Sequence, residues 1–230
     1  MPGGKKEYTT PSSDYSIYNY LTSATKSNRY LTGIKLESPK YGEQTANLTD
    51  KTKIYNDLTS TVFKAAPGEK LTASFIEESP VDYMWMHGYI YIDTDNNGFT
   101  AGVTNAGYSS NAPTGDLKSF SYYQGYNSAG GGKFTGDAEG NAFNPPSFTA
   151  PTTPGLYRMR YNMAWNSIDP KGYSSMASTH GNIIDVLLLV EESVSGTQTF
   201  NSEAISIGDY YRYLRFTVTE SACFQHNHTT

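Results

Sequence analysis

The stretch Tyr89-Ile90-Tyr91-Ile92-Asp93-Thr94-Asp95-Asn96-Asn97-Gly98-Phe99 reads as an alternating strand running into a carboxylate-rich turn closed by glycine. Extended back to Tyr83, its even positions (Met84, Met86, Gly88, Ile90, Ile92) are mostly aliphatic. Its odd positions (Tyr83, Trp85, His87, Tyr89, Tyr91) are aromatic. Side chains alternate across a strand with period two, so the two sets lie on opposite faces of a sheet. A second segment, Thr153-Pro154-Gly155-Leu156-Tyr157-Arg158-Met159-Arg160-Tyr161, is a turn that launches another strand. Tyr157, Met159, Tyr161, Met163 and Trp165 form its apolar face, and Arg158, Arg160 and Asn162 its polar one. One packed and one solvated face is the pattern of an antiparallel sheet.

Residues 182–190 (NIIDVLLLV) are apolar on both faces apart from Asp185, which predicts a central strand buried on both sides. Further strands are expected at 30–36, 70–77 and 210–219, and weaker ones near 52–56 and 60–64. Turn chemistry separates them at Pro67-Gly68, Asp95 to Gly98, Pro113 to Gly115, Gly130 to Gly132, Pro145-Pro146 and Pro154-Gly155. No helical periodicity is sustained anywhere. The expected fold is all-β, an antiparallel β-sandwich of jelly-roll type. It is read as one domain over 19–220, with a flexible segment at 1–18 and a tail at 221–230. Within it, 100–150 is a long insertion poor in aliphatics that carries Tyr108, Tyr122, Tyr123 and Tyr126. Two readings stand open for it: an ordered binding loop, or a flexible insertion with a short hairpin around Leu117 to Tyr123.

Composition narrows the job. A net charge of −5, with no basic cluster longer than Lys5-Lys6, argues against nucleic acid as partner. The single cysteine, Cys223, excludes an intrachain disulfide and a Cys/His metal site. The longest apolar stretch, Val186 to Val190, is strand-sized, so no membrane insertion is expected. Residues 1–10 lack the apolar core of a signal peptide. Low charge and abundant Tyr, Thr, Ser and Asn favour a mature fragment of a secreted or cell-surface protein. Tyrosine, present twenty times, suits a half-buried pleated surface because its ring packs while its hydroxyl stays wet.

The motifs together resemble the GEVED domain, a β-sandwich accessory module of secreted multidomain proteins of Bacteroidetes and related bacteria. That family runs Y-I-D-x-N-x-D-G-x-F, then P-G-x-x-R-M-R after an insertion, then G-E-V-E-D opening a last strand. Here the three elements are Tyr91 to Phe99, Pro154 to Arg160, and Gly181-Asn182-Ile183-Ile184-Asp185. Upstream, Tyr55, Asp57 and Ala66-Pro67-Gly68-Glu69-Lys70-Leu71-Thr72 also fit. The resemblance covers roughly 30–192, and the third element keeps only the glycine and the final aspartate. It implies a surface or secreted module beside other domains of a larger protein, with no catalysis of its own and no named ligand.

Asp93-x-Asp95-x-Asn97-Gly98 has the alternate-oxygen spacing and following glycine of a calcium loop. Thr104 stands where a full EF-hand has a bidentate glutamate, so the site needs a donor from elsewhere, and Asp185 is one candidate. An Asx-rich turn without metal explains the same residues. For carbohydrate, the aromatic candidates are Trp85, Tyr89 and Tyr91 on the strand, Trp165 at a strand end, and the loop tyrosines Tyr122, Tyr123 and Tyr126. The alternative for both tryptophans is the core. Arg158 and Arg160 share one face and either clamp an acidic sugar or form ion pairs across the sheet. His87 and His180 lie far apart, His226 and His228 are in the tail, and no G-x-S-x-G, H-E-x-x-H or P-loop occurs. The expectation is therefore a non-catalytic module that binds a carbohydrate or cell-surface glycan. The alternatives are a spacer or adhesin repeat with no small ligand, and a small glycoside hydrolase.

Overall fold

The computed structural model describes residues 16–78, 86–100, 113–122, 127–129, 144–165 and 167–192. The chain divides into two compact units, Met1–Ser193 and Val194–Thr230, and all described residues lie in the first. The strand expected at 210–219, with Trp85, Tyr108, Tyr123 and Tyr126, lies outside them.

Among the described residues the unit is a β-sandwich. One sheet has the order β2-β1-β4-β7, from β1 (Leu31–Ser38), β2 (Gly42–Asn47), β4 (Lys70–Glu77) and β7 (Phe148–Thr149). The other has the order β3-β9-β8-β5-β6, from β3 (Tyr55–Ala65), β5 (His87–Ile92), β6 (Leu117–Ser121), β8 (Gly155–Ala164) and β9 (Asn182–Val190). Pairing is antiparallel throughout except between β3 and β9, which run parallel with an irregularity between Asp57 and Val62. The two weak stretches near 52–56 and 60–64 are joined in the single strand β3.

The alternation seen in the sequence builds the core. Leu31, Ile34, Leu36, Leu71, Ala73 and Phe75 of one sheet meet Ile90, Ile92, Met159, Tyr161, Met163, Ile184, Val186 and Leu188 of the other. Tyr161 sets its ring edge-on to Phe75 at 5.8 Å between centroids and donates its hydroxyl to the Lys35 carbonyl at 3.0 Å. It thus ties the sheets together while hiding its own polar atom. β9 lies between β3 and β8, and Asn182 to Val186 are buried on both of its faces.

The outer face of the five-stranded sheet is not solvated, contrary to the antiparallel pattern read from 156–165. A further layer covers it, made by a 3-10 turn (Asn19–Leu21) and the segment 165–181 with its short helix α1 (Met176–Thr179). Leu21, Ile17 and Met176 pack there with Tyr89, Tyr91, Phe99, Leu117, Phe120, Tyr122 and Ile183 in a second apolar cluster. Part of the 1–18 segment therefore belongs to the body: Ile17 is buried. Polar contacts fasten the layer. Tyr91 donates to the Ile168 carbonyl, Asn162 Nδ2 to the Asp169 carbonyl at 3.3 Å, and Arg160 Nη1 to the Pro170 carbonyl at 2.8 Å. Gly172 sits at φ +95°, a left-handed conformation that favours glycine, and a Cβ there would press on the Leu21 side chain.

Candidate functional site

Three places bear on function: the acidic turn after β5, the arginine pair on β8, and the aromatic rings left at the surface.

In the acidic turn, β5 ends where the Asp93 N–H donates to the Arg158 carbonyl at 3.1 Å. Beyond it the chain folds around the Asp93 carboxylate. Oδ1 accepts the backbone N–H groups of Asp95 (3.2 Å) and Asn96 (2.7 Å), and Oδ2 accepts that of Gly98 (2.9 Å). Asn96 and Gly98 take the left-handed φ values of 61° and 96° that this wrapping requires. Asp95 Oδ2 accepts the Asn97 side-chain amide at 2.7 Å. A third carboxylate arrives from the turn before β6. Asp116 is buried, and its Oδ2 accepts the N–H and hydroxyl of Thr100 at 3.0 and 2.8 Å. One oxygen each of Asp93, Asp95 and Asp116 lies within 4.8 Å of the others. Burial lowers the Lys118 ammonium, while Asp116, Asp93 and Asp95 pull it back up, so the three acids and this lysine share one field. Three carboxylate oxygens at this spacing are near enough to be ligands of one divalent cation, and internal hydrogen bonds already engage those of Asp93 and Asp116.

Asp185, the donor that the sequence suggested for the loop, is not one of these three carboxylates. It lies directly across from Arg160 in the β8–β9 register, fully buried. Arg160 Nε and Nη2 grip its two oxygens at 2.6 and 2.8 Å, Arg158 Nη2 adds a contact at 2.8 Å, and the Tyr55 hydroxyl donates at 3.2 Å. Burial alone would raise the Asp185 carboxyl, but the Arg160 and Arg158 guanidiniums outweigh it and hold it below the usual carboxylate range. Arg160 is itself fully buried, with its guanidinium carbon 4.6 Å from the centre of the Phe99 ring. The pair, which the sequence offered either as an anion clamp or as ion pairs across the sheet, holds an internal anion, Asp185. A lone acid on a buried strand opposite a two-arginine face was the signal for this, because buried charges are paired.

The aromatic candidates separate by burial. Tyr122 is 7% exposed and packs on His87, its ring centre 4.1 Å from the imidazole, and edge-on to Tyr89 and Phe120. Tyr89 and Tyr91 are fully buried. Trp165 is 44% exposed, just past the end of β8, with its backbone N–H donating to the Tyr173 hydroxyl at 2.9 Å. Two further exposed rings, Tyr18 and Tyr20, come from the 3-10 turn and were not foreseen, because they fall in a stretch with no periodic pattern.

Comparison with known protein families matches residues 71–214 to the family described as Cleaved Adhesin Domain, a span well over half of the chain. The match runs from β4 through β9 and takes in the acidic turn, the arginine strand and Asp185. It is to this family and not specifically to the GEVED type. No curated protein matches the chain.

Proposed function

The chain belongs to the cleaved adhesin domain family, and from that premise we propose that it is a non-catalytic adhesive module of a surface or secreted protein which holds carbohydrate on exposed aromatic rings. The observation that carries this reading is where the apolar surface is left. Among the described residues the exposed large hydrophobics are Tyr18, Tyr20, Trp165 and Val62. Three of the four are aromatic, and all three come from the segments that cover the outer face of the five-stranded sheet. Rings held at a surface by a packed layer beneath them offer a flat apolar contact at little conformational cost, which suits the C–H face of a sugar. No helix among the described residues is long and apolar enough to cross a membrane.

Calcium is the second part of the proposal. The trio Asp93, Asp95 and Asp116 supplies hard oxygens from two separate segments, and a cation bridging them would fix the mouth of the long insertion to β5. The ion's part is structural: it neutralises three clustered acids and orders the turn. Other domains of the parent protein are the expected neighbours, and a glycan on a cell surface the expected partner.

A glycan array probed in calcium-containing buffer tests the reading. A defined glycan hit supports a lectin-like module. No retention by demonstrably folded protein refutes carbohydrate binding and leaves a spacer that positions its neighbours.

A further inference from the structure

Resting on the carbohydrate reading above, we propose that Tyr18 and Tyr20 form the contact surface for a neutral hexopyranose, with Asp169 accepting from its hydroxyls. Tyr18 caps the 3-10 turn Asn19–Leu21 and Tyr20 lies within it, their ring centres 5.5 Å apart and their planes 6° from parallel. At that separation parallel rings are offset rather than eclipsed, so together they make a stepped apolar surface longer than either alone. Tyr18 and Tyr20 are 39% and 50% exposed, although the turn that carries them is seated on the body. Leu21 is 1% exposed in the cluster beneath. The Tyr18 N–H donates to the Lys171 carbonyl at 3.1 Å and the Leu21 N–H to the Tyr18 carbonyl at 2.8 Å.

The polar partner is built in as firmly. Asp169 Oδ2 accepts the Tyr18 hydroxyl at 3.0 Å, and Oδ1 accepts the Lys171 N–H at 2.9 Å. The carboxylate keeps further lone pairs for a sugar hydroxyl, since an ionised carboxyl has about four acceptor sites. A rigid aromatic step edged by a fixed carboxylate is the complement of a pyranose, which shows C–H groups on one face and hydroxyls at its edge. The same carboxylate selects against acidic ligands. The hydrogen bond from Tyr18 to Asp169, and then the charge of Asp169, raise the phenol above its ordinary value, which marks a negative charge at the Tyr18 edge of the step. A uronate, sialyl or sulfated sugar would meet like charge there, whereas a neutral one would not.

Affinity electrophoresis through gels containing neutral glucan, galactan or mannan, with an acidic polysaccharide in parallel, tests the site with wild type, Tyr20→Ala, Tyr18→Phe and Trp165→Ala. Tyr20 is half exposed, so Tyr20→Ala should keep the wild-type melting temperature. Retardation by a neutral polysaccharide that Tyr20→Ala weakens by about tenfold supports the site, in line with the value of one aromatic contact. Tyr18→Phe keeps the ring and should keep most of the retardation. Retardation unchanged in Tyr20→Ala, or lost only in Trp165→Ala, overturns the Tyr18–Tyr20 site and leaves carbohydrate binding standing. Retardation by the acidic polysaccharide alone overturns it likewise. No retardation of wild type by any polysaccharide overturns both.

Discussion

Lys26 offers the sharpest test of the packing of the outer layer. Its side chain is buried, with the amine donating to the Arg29 carbonyl at 3.0 Å and to Asn182 Oδ1. Asn182 in turn donates to the Ile54 and Lys53 carbonyls at 2.8 and 3.2 Å, so the lysine caps a chain of contacts joining the N-terminal segment to β9. Burial, with a smaller push from the Arg29 charge, brings the ammonium down from 10.5 to about 7. The sign follows from which state holds the proton. Between about pH 7 and 10.5 the unfolded lysine is protonated and the folded one is not, so stability is full above that window and is lost as pH falls through it. From pH 9 to pH 7 the loss is about 2 kcal/mol, and at pH 7 the total penalty is about 4 kcal/mol. Lys26→Met keeps the length, removes the titration and leaves two acceptors short of a donor, at about 1–3 kcal/mol for an unpaired buried group. Urea unfolding at pH 7, 8 and 9 should show wild type gaining about 2 kcal/mol more across the series than Lys26→Met. An equal slope in both proteins would refute the burial of Lys26 and with it the seating of this segment.

The other expectations are simpler. Asp185→Asn leaves the buried Arg160 and its neighbour Arg158 facing a neutral amide and should cost about 3–5 kcal/mol by chemical denaturation; a loss under 1 kcal/mol would mean the pair is solvated. His87 is pushed down to about 3 by burial. Stability should therefore fall by about 2 kcal/mol from pH 7 to 5 as the unfolded histidine gains a proton that the folded one refuses. His87→Asn should remove that component, and an unchanged acid dependence would count against it. With calcium at about a hundredfold its Kd, EDTA should lower the melting temperature by roughly 5–10 °C. Asp116→Asn should abolish the response, and a chelation-insensitive wild type would dismiss the cation.

The strands were legible because burial imposes a pattern. β4 and β9 occupy the very residues expected, since alternation marks the one, and short length with β-branched content marks the apolar run of the other as a strand. β2 was missed because Gly42–Asn47 is a polar edge strand in which only Ala46 is buried, and its place comes from pairing with β1. The parallel run of β3 beside β9 is likewise a matter of topology, on which periodicity is silent. The outer layer was illegible for a different reason. It is assembled from single side chains, Leu21, Ile168 and Met176, in segments too irregular to show a period. Without that layer the even face of β8 reads as solvated, and the ion pairs open to Arg158 and Arg160 read as surface contacts rather than as the buried pairing with Asp185. Asp93 and Asp95 were visible as a spacing, but Asp116 joins them from another segment, and only the fold brings it there.

The central claim is that this module binds a sugar without transforming it. Isothermal titration of folded protein with the glycan that the array selects tests that claim, followed by mass analysis of the recovered sugar. Saturable binding with the glycan returned intact is the predicted result. A hydrolysed product, or no heat at any concentration, would contradict it.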